Sequence, residues 1–349
     1  MLMNRAIYRI IDANYNRARE GLRVAEEFCR FALDNQQLSS RCKEIRHKLS
    51  SLIAKIDSQR LITARDTEKD VGCGMKIAEP MKRQSLEDCV TAGLARTVEA
   101  IRAISESVSI IDGKLAEEFE KIRYDCYTIE KDISLFGFPA LKFKKTKLYC
   151  IITMQEGINV LKIAQQCAQS GADCMQLRAK DISDAELLPL ACEFVKIGKQ
   201  NDVISIINDR ADIAIAADAD GVHLGQNDLP ANVVHQMMCK PLIIGISTHS
   251  NIELANAVEQ KPHYVGVGSV FSTNTKQVEV CGLDYVTKAV DFLESKSVEA
   301  VAIGGITLEN IDKVLQAGAK RVAVSSCVCL AENPADMCKK LKEKLDKNI

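Results

Sequence analysis

The pattern of apolar and polar positions changes period partway along the chain. In roughly the first 134 residues, apolar side chains recur every three or four positions, which is typical of amphipathic helices. In the stretch NRAREGLRVAEEFCRFAL, for example, Ala18, Leu22 and Ala25 share one helical face. Further helices are predicted over 38–57, 84–108 and 113–132. Strand patterns are nearly absent, so residues 1–135 are expected to form an all-α accessory domain.

A second pattern begins at residue 147, where short apolar runs alternate with amphipathic helical segments. The predicted strands span 147–153, 173–178, 203–208, 220–224, 241–246, 263–267, 299–303 and 320–324. Eight near-equal strand–helix units favour a closed (β/α)8 TIM barrel over a doubly wound open sheet, the competing topology. The predicted fold class is therefore α/β, with a TIM barrel over 147–349 that follows the all-α domain.

The segment between the two patterns is predicted to be a linker. The stretch FGFPALKFKKTK contains Gly137, Pro139 and several lysines. Glycine and proline interrupt regular secondary structure, and a cluster of cations is usually solvated. We therefore assign residues 136–146 to a linker between the two domains.

Composition and charge exclude several classes of protein. A formal net charge of -1 gives no overall field that would attract nucleic acid or an anionic membrane. No apolar run approaches the roughly 18 residues that a membrane-spanning helix needs, and the charged N-terminus has no signal-peptide core. The expected protein is cytoplasmic, with small-molecule partners, no nucleic acid and no membrane; its oligomeric state stays open, and a homo-oligomer is compatible with the sequence.

The fourteen cysteines do not have the spacing of a metal site or a disulfide framework. No Cys-x-x-Cys pair occurs, and residues such as Cys150, Cys167 and Cys174 lie within apolar patterns. Free cysteine behaves as a small buried hydrophobe in a reducing compartment. We interpret these residues as core residues rather than as zinc ligands.

Polar side chains collect where the predicted strands end. In a TIM barrel the carboxyl ends of all strands meet at one mouth, where the chemistry takes place. The residues concerned, in strand order, are Gln176, Arg178, Lys180, Asn208, Asp209, Asp228, Ser247 and Lys276. These side chains are therefore expected to line one mouth.

The charges at this mouth suggest a bound polyanion and a metal ion. Arg178, Lys180 and Lys276 are cations, and Asp209 and Asp228 follow adjacent strands. Mg²⁺ prefers oxygen ligands, commonly one or two carboxylates together with phosphate oxygens and water. The alternative is that Asp209 forms an ordinary ion pair at the rim, with either Lys180 or the neighbouring arginine.

A second anion site is suggested independently by the last two strands. In such barrels the loops after strands seven and eight commonly bind phosphate. Gly304 and Gly305 follow strand seven and let a ligand approach the backbone closely, while Ser325 and Ser326 follow strand eight with hydroxyl and N–H donors. The pattern thus implies a diphosphate with a metal on one side of the mouth and a monophosphate on the other.

Two histidines near the mouth are weaker candidates. His223 lies within strand four, where a hydrogen-bonded core residue is the more common interpretation. His249 lies nearer the mouth and is at best an orienting residue. Ser247 has no evident catalytic triad, so a serine nucleophile is not expected.

Seven motifs occur in order and at suitable separations. They are QLRAK, INDR, DGVHLGQND, GISTHS, GSVFSTNTK, AIGGI and VAVSS. Together they resemble those of the thiamine phosphate synthase family, also called thiamine-phosphate pyrophosphorylase, over about residues 147–345. Members of that family join hydroxymethylpyrimidine diphosphate to a thiazole phosphate and release pyrophosphate in thiamine biosynthesis.

The resemblance implies a role for each matching residue. The diphosphate would be held by Arg178, Lys180, Asn208 and Lys276, with Ser247 assisting, and Gln176 would face the pyrimidine. Asp209 and Asp228 would bind Mg²⁺. The thiazole phosphate would be held by Thr273, Thr275, Gly305, Ser325 and Ser326. Where many family members have proline, this chain has Ser269 and Ser272, which puts the placement of Thr273 in doubt.

The family's reaction is thought to be dissociative, and this explains the lack of an obvious general base. The C–O bond to the diphosphate breaks first, and the thiazole nitrogen then attacks the pyrimidine methyl cation. Catalysis then consists of leaving-group stabilisation by Arg178, Lys180, Lys276, Ser247 and the metal, together with positioning. The alternatives from other classes are a thiazole tautomerase-like barrel and a non-enzymatic sensor of thiamine precursors.

The stretch RIIDANYNRAREGLRVAEEFCRF is similar to helical domains fused to synthases of the cyanobacterial type. Such domains have been suggested to phosphorylate the pyrimidine precursor. A phosphate site could be formed by Asn14, Arg17, Arg23, Arg65, Asp66 and Asp70, but no Gly-x-x-x-x-Gly-Lys-Ser/Thr motif occurs. We favour a structural or dimerising helical module over a hydroxymethylpyrimidine phosphate kinase.

Overall fold

The structure, a computed structural model, describes residues 2–68, 70–72, 82–273, 279–294, 296 and 298–348. The chain divides into two compact units, residues 1–138 and 139–349. Within the described ranges, none of the helices combines the length and the apolar character needed to cross a bilayer.

The first unit is all-helical, as predicted. Its helices are α1 (Leu2–Glu27), α2 (Gln36–Ile53), α3 (Ser58–Ala64), α4 (Leu86–Ser109) and α5 (Gly113–Asp132), with a π-helical turn at Phe28–Ala32. Gly21 allows α1 to pack closely on α4, since a Cβ there would lie 2.3 Å from the Gly93 carbonyl oxygen. The Thr97 hydroxyl donates to that same oxygen at 2.9 Å.

Most of the segment predicted to be a linker is helical, and the boundary between the two units falls within it, after residue 138. A π-helical turn at Ile133–Gly137 continues into α6 (Phe138–Lys144). Pro139 is the second residue of α6 and directly follows the π-helical turn, where it cannot donate a helical hydrogen bond. Phe143 is fully buried, so apolar packing outweighs the breaker signal of glycine and proline.

The second unit is a closed barrel of eight parallel strands in sequential order, which excludes the doubly wound sheet. The strands are β1 (Leu148–Thr153), β2 (Cys174–Arg178), β3 (Ile204–Asn208), β4 (Gly221–Leu224), β5 (Ile243–Thr248), β6 (Tyr264–Val267), β7 (Glu299–Ile303) and β8 (Val322–Val324). The helices between and after them are α7 (Val160–Gln169), α8 (Asp184–Asn201), α9 (Ala211–Ala216), α10 (Ala231–Met237), α11 (Asn251–Glu259), α12 (Gly282–Leu293), α13 (Ile311–Gln316), α14 (Ser326–Cys329) and α15 (Pro334–Asn348).

Alternation along each strand separates two cores. On β1, Leu148 and Cys150 face outward into the layer between strands and helices. Tyr149 and Ile151 face the barrel interior, where Phe143 of α6 also packs. Because successive side chains of a strand point to opposite faces, a single strand serves both cores.

The outer core contains a group of three thiols that the sequence spacing did not reveal. Cys150 of β1, Cys167 of α7 and Cys338 of α15 are buried, and their sulfurs lie within 4.8 Å of one another. The described cysteines are free thiols. Surrounded by apolar side chains, these three fill space in the core as small hydrophobes.

Candidate active site at the barrel mouth

The carboxyl ends of the strands surround an open cavity of about 960 Å³, part of which is continuous with solvent. Ten predicted site residues line it: Gln176, Arg178, Lys180, Asn208, Asp209, Ser247, Thr273, Gly305, Ser325 and Ser326. Thr275 and Lys276 lie outside the described residues. The mouth therefore brings together residues that are widely separated along the chain, while their individual roles stay predictions.

The two predicted metal ligands are neighbours. Asp209 directly follows β3, adopts a left-handed backbone with φ of 61°, and donates its N–H to the His223 carbonyl oxygen at 2.8 Å. Asp228 lies in the loop after β4, where it accepts a hydrogen bond of 2.6 Å from the N–H of Gly225. Burial, followed by the hydrogen bond and the negative charge of Asp228, raises the pKa of Asp209 to about 6. Two carboxylates this close form an oxygen donor set that fits a divalent cation.

The basic side chains lie beside these carboxylates. The Nζ of Lys180 is 3.9 Å from Oδ2 of Asp209, an ion pair beyond hydrogen-bonding distance. The positive charges of Lys180 and Arg178 oppose the upward shift in the pKa of Asp209. The alternative partner, Arg210, instead binds Asp184 and Asp212, with Nη2 2.9 Å from Asp184 Oδ2. Asp209 is thus not neutralised by its sequence neighbour.

The opposite side of the mouth is built from backbone and hydroxyl groups. Gly304 and Gly305 have φ of 104° and 63°. A Cβ on Gly305 would lie 2.4 Å from the Ser272 carbonyl oxygen, so only glycine lets these loops approach so closely. Ser325 precedes α14, and its hydroxyl lies 3.2 Å from that of Thr153 at the end of β1.

The serine at position 269 fits its loop without proline. Its hydroxyl donates to the carbonyl oxygen of Phe271 at 2.7 Å, and its carbonyl oxygen accepts from the N–H of Cys281 at 2.8 Å. These hydrogen bonds join Ser269 to two described residues that follow β6, and Thr273 lines the cavity.

A row of hydrogen bonds crosses the barrel interior and joins two cavity residues. Nε2 of Gln176 lies 2.7 Å from the Tyr149 hydroxyl, which lies 2.9 Å from the Tyr264 hydroxyl. That hydroxyl lies 3.0 Å from Nδ1 of His223, whose Nε2 lies 2.9 Å from the hydroxyl of Ser247. We call these five residues the interior chain. Sequence reasoning missed it, although strand alternation places the tyrosines on the inward face.

The two histidines lie where they were expected, but His223 also makes a contact that was not foreseen. His223 is buried, as a core residue would be, yet it also lines the cavity and contacts Ser247. The group beyond it is the neutral phenol of Tyr264 and not a carboxylate, so the arrangement does not stabilise an imidazolium as a catalytic triad does. His249 lines the cavity, with Nδ1 2.9 Å from Glu253 Oε2.

Most of the predicted phosphate residues of the helical unit are paired with one another or with neighbours. Arg65 binds Asp12 through two hydrogen bonds of 2.6 and 2.7 Å. Arg23 pairs with Glu26 and Glu27, Asp66 pairs with Arg5, and Arg17 donates to Asn14. These pairs fit the structural interpretation of the unit.

Comparisons with known proteins identify the family of each unit. A family model described as thiamine monophosphate synthase matches residues 148–328, and a model of the ThiD2 family matches residues 9–132. A thiamine-phosphate synthase of Synechocystis is 37% identical over 98% of this chain and 97% of its own length. One from Rhodopirellula baltica is 37% identical over 93% of this chain and 89% of its own length.

A solved structure gives the same result for the barrel. The thiamine phosphate pyrophosphorylase of Pyrococcus furiosus is 32% identical, with a TM-score of 0.54, and covers 60% of this chain and 99% of its own. The helical unit and the barrel thus match two family models, and the full-length relatives match nearly the whole chain. The chain belongs to the thiamine-phosphate synthase family.

Proposed function

We propose that the barrel joins hydroxymethylpyrimidine diphosphate to thiazole phosphate and releases pyrophosphate, as a cytoplasmic enzyme of thiamine biosynthesis. The observation that carries this proposal is that the two sides of one mouth carry groups of different chemistry, each suited to an anion. Asp209, Asp228 and Lys180 lie on one side, and the glycine turn at 304–305 lies on the other.

The carboxylate side suits the diphosphate. Asp209 and Asp228 would hold Mg²⁺, which supplies Lewis-acid stabilisation of the leaving diphosphate. Arg178, Lys180 and Asn208 surround the same part of the cavity and neutralise or hydrogen-bond phosphate oxygens. Their charges are already in place before the reaction, so little reorganisation is needed as negative charge develops.

The reaction breaks one bond and forms another. The methylene C–O bond to the diphosphate breaks, and both electrons leave with the diphosphate oxygen. The lone pair of the thiazole nitrogen then forms the new C–N bond, so no proton has to be removed. This balance explains why the reaction needs no general base; the residues of the cavity act by orientation and charge.

The thiazole phosphate fits the other side of the mouth. Gly304 and Gly305 bring backbone close to the cavity, and Ser325 and Ser326 add hydroxyl donors at the end of β8. Thr273 approaches from the loop after β6. These neutral donors hold a phosphate whose charge does not change during the reaction.

The carboxylate pair favours this function over the alternatives. A tautomerase that acts on thiazole phosphate needs no residues that bind a diphosphate, and a sensor needs no groups that stabilise a leaving group. For the helical unit we propose a structural or dimerising role, supported by its internal ion pairs; a pyrimidine phosphate kinase is the second candidate, which ATP-dependent phosphorylation by that unit would establish.

The test supplies purified protein with both substrates and Mg²⁺, and follows pyrophosphate release and the mass of thiamine phosphate. Metal-dependent formation of both products is expected. Turnover of the thiazole alone would favour the tautomerase, and binding without turnover would favour the sensor. Lys180→Ala should lower turnover, whereas Lys199→Ala is the matched control, because Lys199 pairs with Asp218 outside the cavity lining.

A further inference from the structure

The middle residues of the interior chain are shielded from water, and this restricts the directions in which their hydrogen bonds can run. Tyr149 and Tyr264 are 1% and 0% exposed, and His223 is 8% exposed. A buried O–H or N–H that donates to nothing costs about 1–3 kcal/mol. Each hydroxyl has one proton to donate, and a neutral imidazole has one N–H. The direction of one hydrogen bond therefore determines the next.

One complete arrangement runs from Gln176 to Ser247. The amide NH₂ of Gln176 donates to Tyr149, Tyr149 donates to Tyr264, and Tyr264 donates to Nδ1 of His223. The imidazole then carries its proton on Nε2 and donates to the Ser247 oxygen. In this arrangement the cavity is offered a carbonyl oxygen by Gln176 and an O–H donor by Ser247.

The other complete arrangement runs the opposite way. Ser247 donates to Nε2 of His223, whose Nδ1–H donates to Tyr264; Tyr264 donates to Tyr149, which donates to the carbonyl oxygen of a flipped Gln176 amide. The cavity is now offered an NH₂ donor by Gln176 and a lone pair by Ser247. The two ends of the interior chain therefore change character together.

Arrangements that reverse only part of the interior chain lose the hydrogen bond between the two phenols: either both donate outward and their oxygens face each other at 2.9 Å with no proton between them, or both donate inward and their protons collide. Cys174 is the register partner of Tyr149 on the neighbouring strand β2. A thiol sulfur is only a weak acceptor, so it does not offset this loss. Two states, each uniform in direction, thus dominate.

We propose that the interior chain makes this barrel specific for an aminopyrimidine over its oxo counterpart and couples that choice to Ser247. This inference rests on the proposed function. An amino group needs the Gln176 carbonyl oxygen as its acceptor, and that arrangement gives Ser247 a proton to donate to the departing diphosphate. An oxo group needs the Gln176 NH₂ as its donor. In the arrangement that supplies this donor, a lone pair of Ser247 faces the anionic diphosphate and repels it.

Tyr149, Tyr264 and His223 are positioning residues in this scheme. They do not touch the reacting atoms; they set what Gln176 and Ser247 present to the ligand. Loss of one phenol oxygen separates the two ends while leaving both cavity residues in place. The signature is a change in selectivity, which a purely structural role would not produce.

The test compares dissociation constants for the amino and oxo pyrimidine diphosphates, measured by calorimetry on the full chain with Mg²⁺. In Tyr264→Phe and Tyr149→Phe, the amino-over-oxo preference should fall about tenfold. The matched control is Tyr285→Phe, which removes a buried hydroxyl that bonds to Thr248 and is not part of the interior chain. The amino-over-oxo preference of this variant should equal that of the unaltered protein. Equal weakening of both ligands in Tyr264→Phe would overturn the inference.

A second measurement tests the coupling itself. Turnover with the amino substrate is measured for Gln176→Ala, Ser247→Ala and the double variant, first in the protein that retains Tyr264 and then in the Tyr264→Phe background. The two effects should be non-additive by about threefold or more with the tyrosine and additive without it. Unchanged coupling would refute the inference, whereas an unaltered protein that makes no thiamine phosphate would refute the proposed function.

Discussion

The two sides of the barrel mouth are built to hold anions by different means. On the side of β2 to β4, formal charges dominate: Arg178, Lys180 and the pair Asp209 and Asp228. On the side of β7 and β8, backbone and hydroxyl groups of uncharged residues dominate, with φ of 63° at Gly305. Formal charges and a metal suit a group whose charge grows as it leaves, whereas fixed neutral donors suit a group that only has to be held.

The largest effect is expected on the charged side. Asp228→Asn keeps the size of the side chain but removes one of the two anionic ligands proposed for Mg²⁺. Turnover should fall about a hundredfold or more, as when one electrostatic contact to a transition state is lost. Steady-state kinetics over a range of Mg²⁺ concentrations measure it.

Circular dichroism and the melting temperature provide the control for Asp228→Asn, because the fold should be retained. Excess Mg²⁺ should recover part of the activity if the loss is one of metal affinity. Near-normal turnover at low Mg²⁺ would remove Asp228 from the metal site and weaken the contrast between the two sides.

A smaller effect is expected on the neutral side. Gly305→Ala places a Cβ about 2.4 Å from the Ser272 carbonyl oxygen and strains a left-handed backbone, at a cost of about 1–3 kcal/mol. The KM for thiazole phosphate should rise about tenfold, while the affinity for the pyrimidine diphosphate should change little.

Gly318→Ala is the matched control for this substitution. Gly318 also has a positive φ, of 96°, but it precedes β8 at the opposite end of the barrel. Gly318→Ala should lower the melting temperature without changing the KM for either substrate. If Gly305→Ala instead weakened only diphosphate binding, the division of the mouth into two sides would be wrong.

The smallest effect concerns stability without metal. The raised pKa of Asp209, about 6, means that the folded protein binds a proton there more tightly than the unfolded chain. Stability should therefore fall as pH rises from about 4 to 6, and the loss should persist above pH 6. Asp209→Asn should remove this loss, worth about 1 kcal/mol because the side chain is 30% exposed and partly screened.

Thermal melts in a chelator at pH 4.5 and 7.5 check the stability prediction. Asparagine tolerates the left-handed backbone of position 209, so the comparison isolates the charge. The variant should be more stable than the unaltered protein at pH 7.5 and inactive as an enzyme. A variant that is less stable at both pH values would show that the carboxylate is not a source of strain.

The barrel could be predicted closely from the sequence because its strands are buried on both faces. Such strands appear as short continuous apolar runs, and the predicted range 299–303 coincides with β7. The cavity residues could also be predicted from the sequence, because the ends of the strands identify the mouth without any knowledge of packing. Arg178 and Asp209, thirty-one positions apart, could be placed together for that reason.

Other features depend on tertiary contacts that local patterns do not encode. Gly137 and Pro139 indicated a linker, but burial of Phe143 stabilises a helix there. His223 could be recognised as buried but not as a partner of Ser247, because that contact depends on the register between the neighbouring strands β4 and β5. Positions 150, 167 and 338 likewise carry no shared spacing, although their sulfurs meet in the core.

The aromatic ring that α6 places at the amino end of the barrel affects how ligands enter and leave the cavity. Phe143 stacks on Tyr264 with ring centroids 4.2 Å apart, and so occupies the interior at the amino ends of the strands. In the part of the chain that the structure describes, this ring closes the amino end of the barrel, and the cavity opens at the carboxyl ends of the strands. If substrates and products share that opening, the ligand that binds deepest is expected to enter first and leave last.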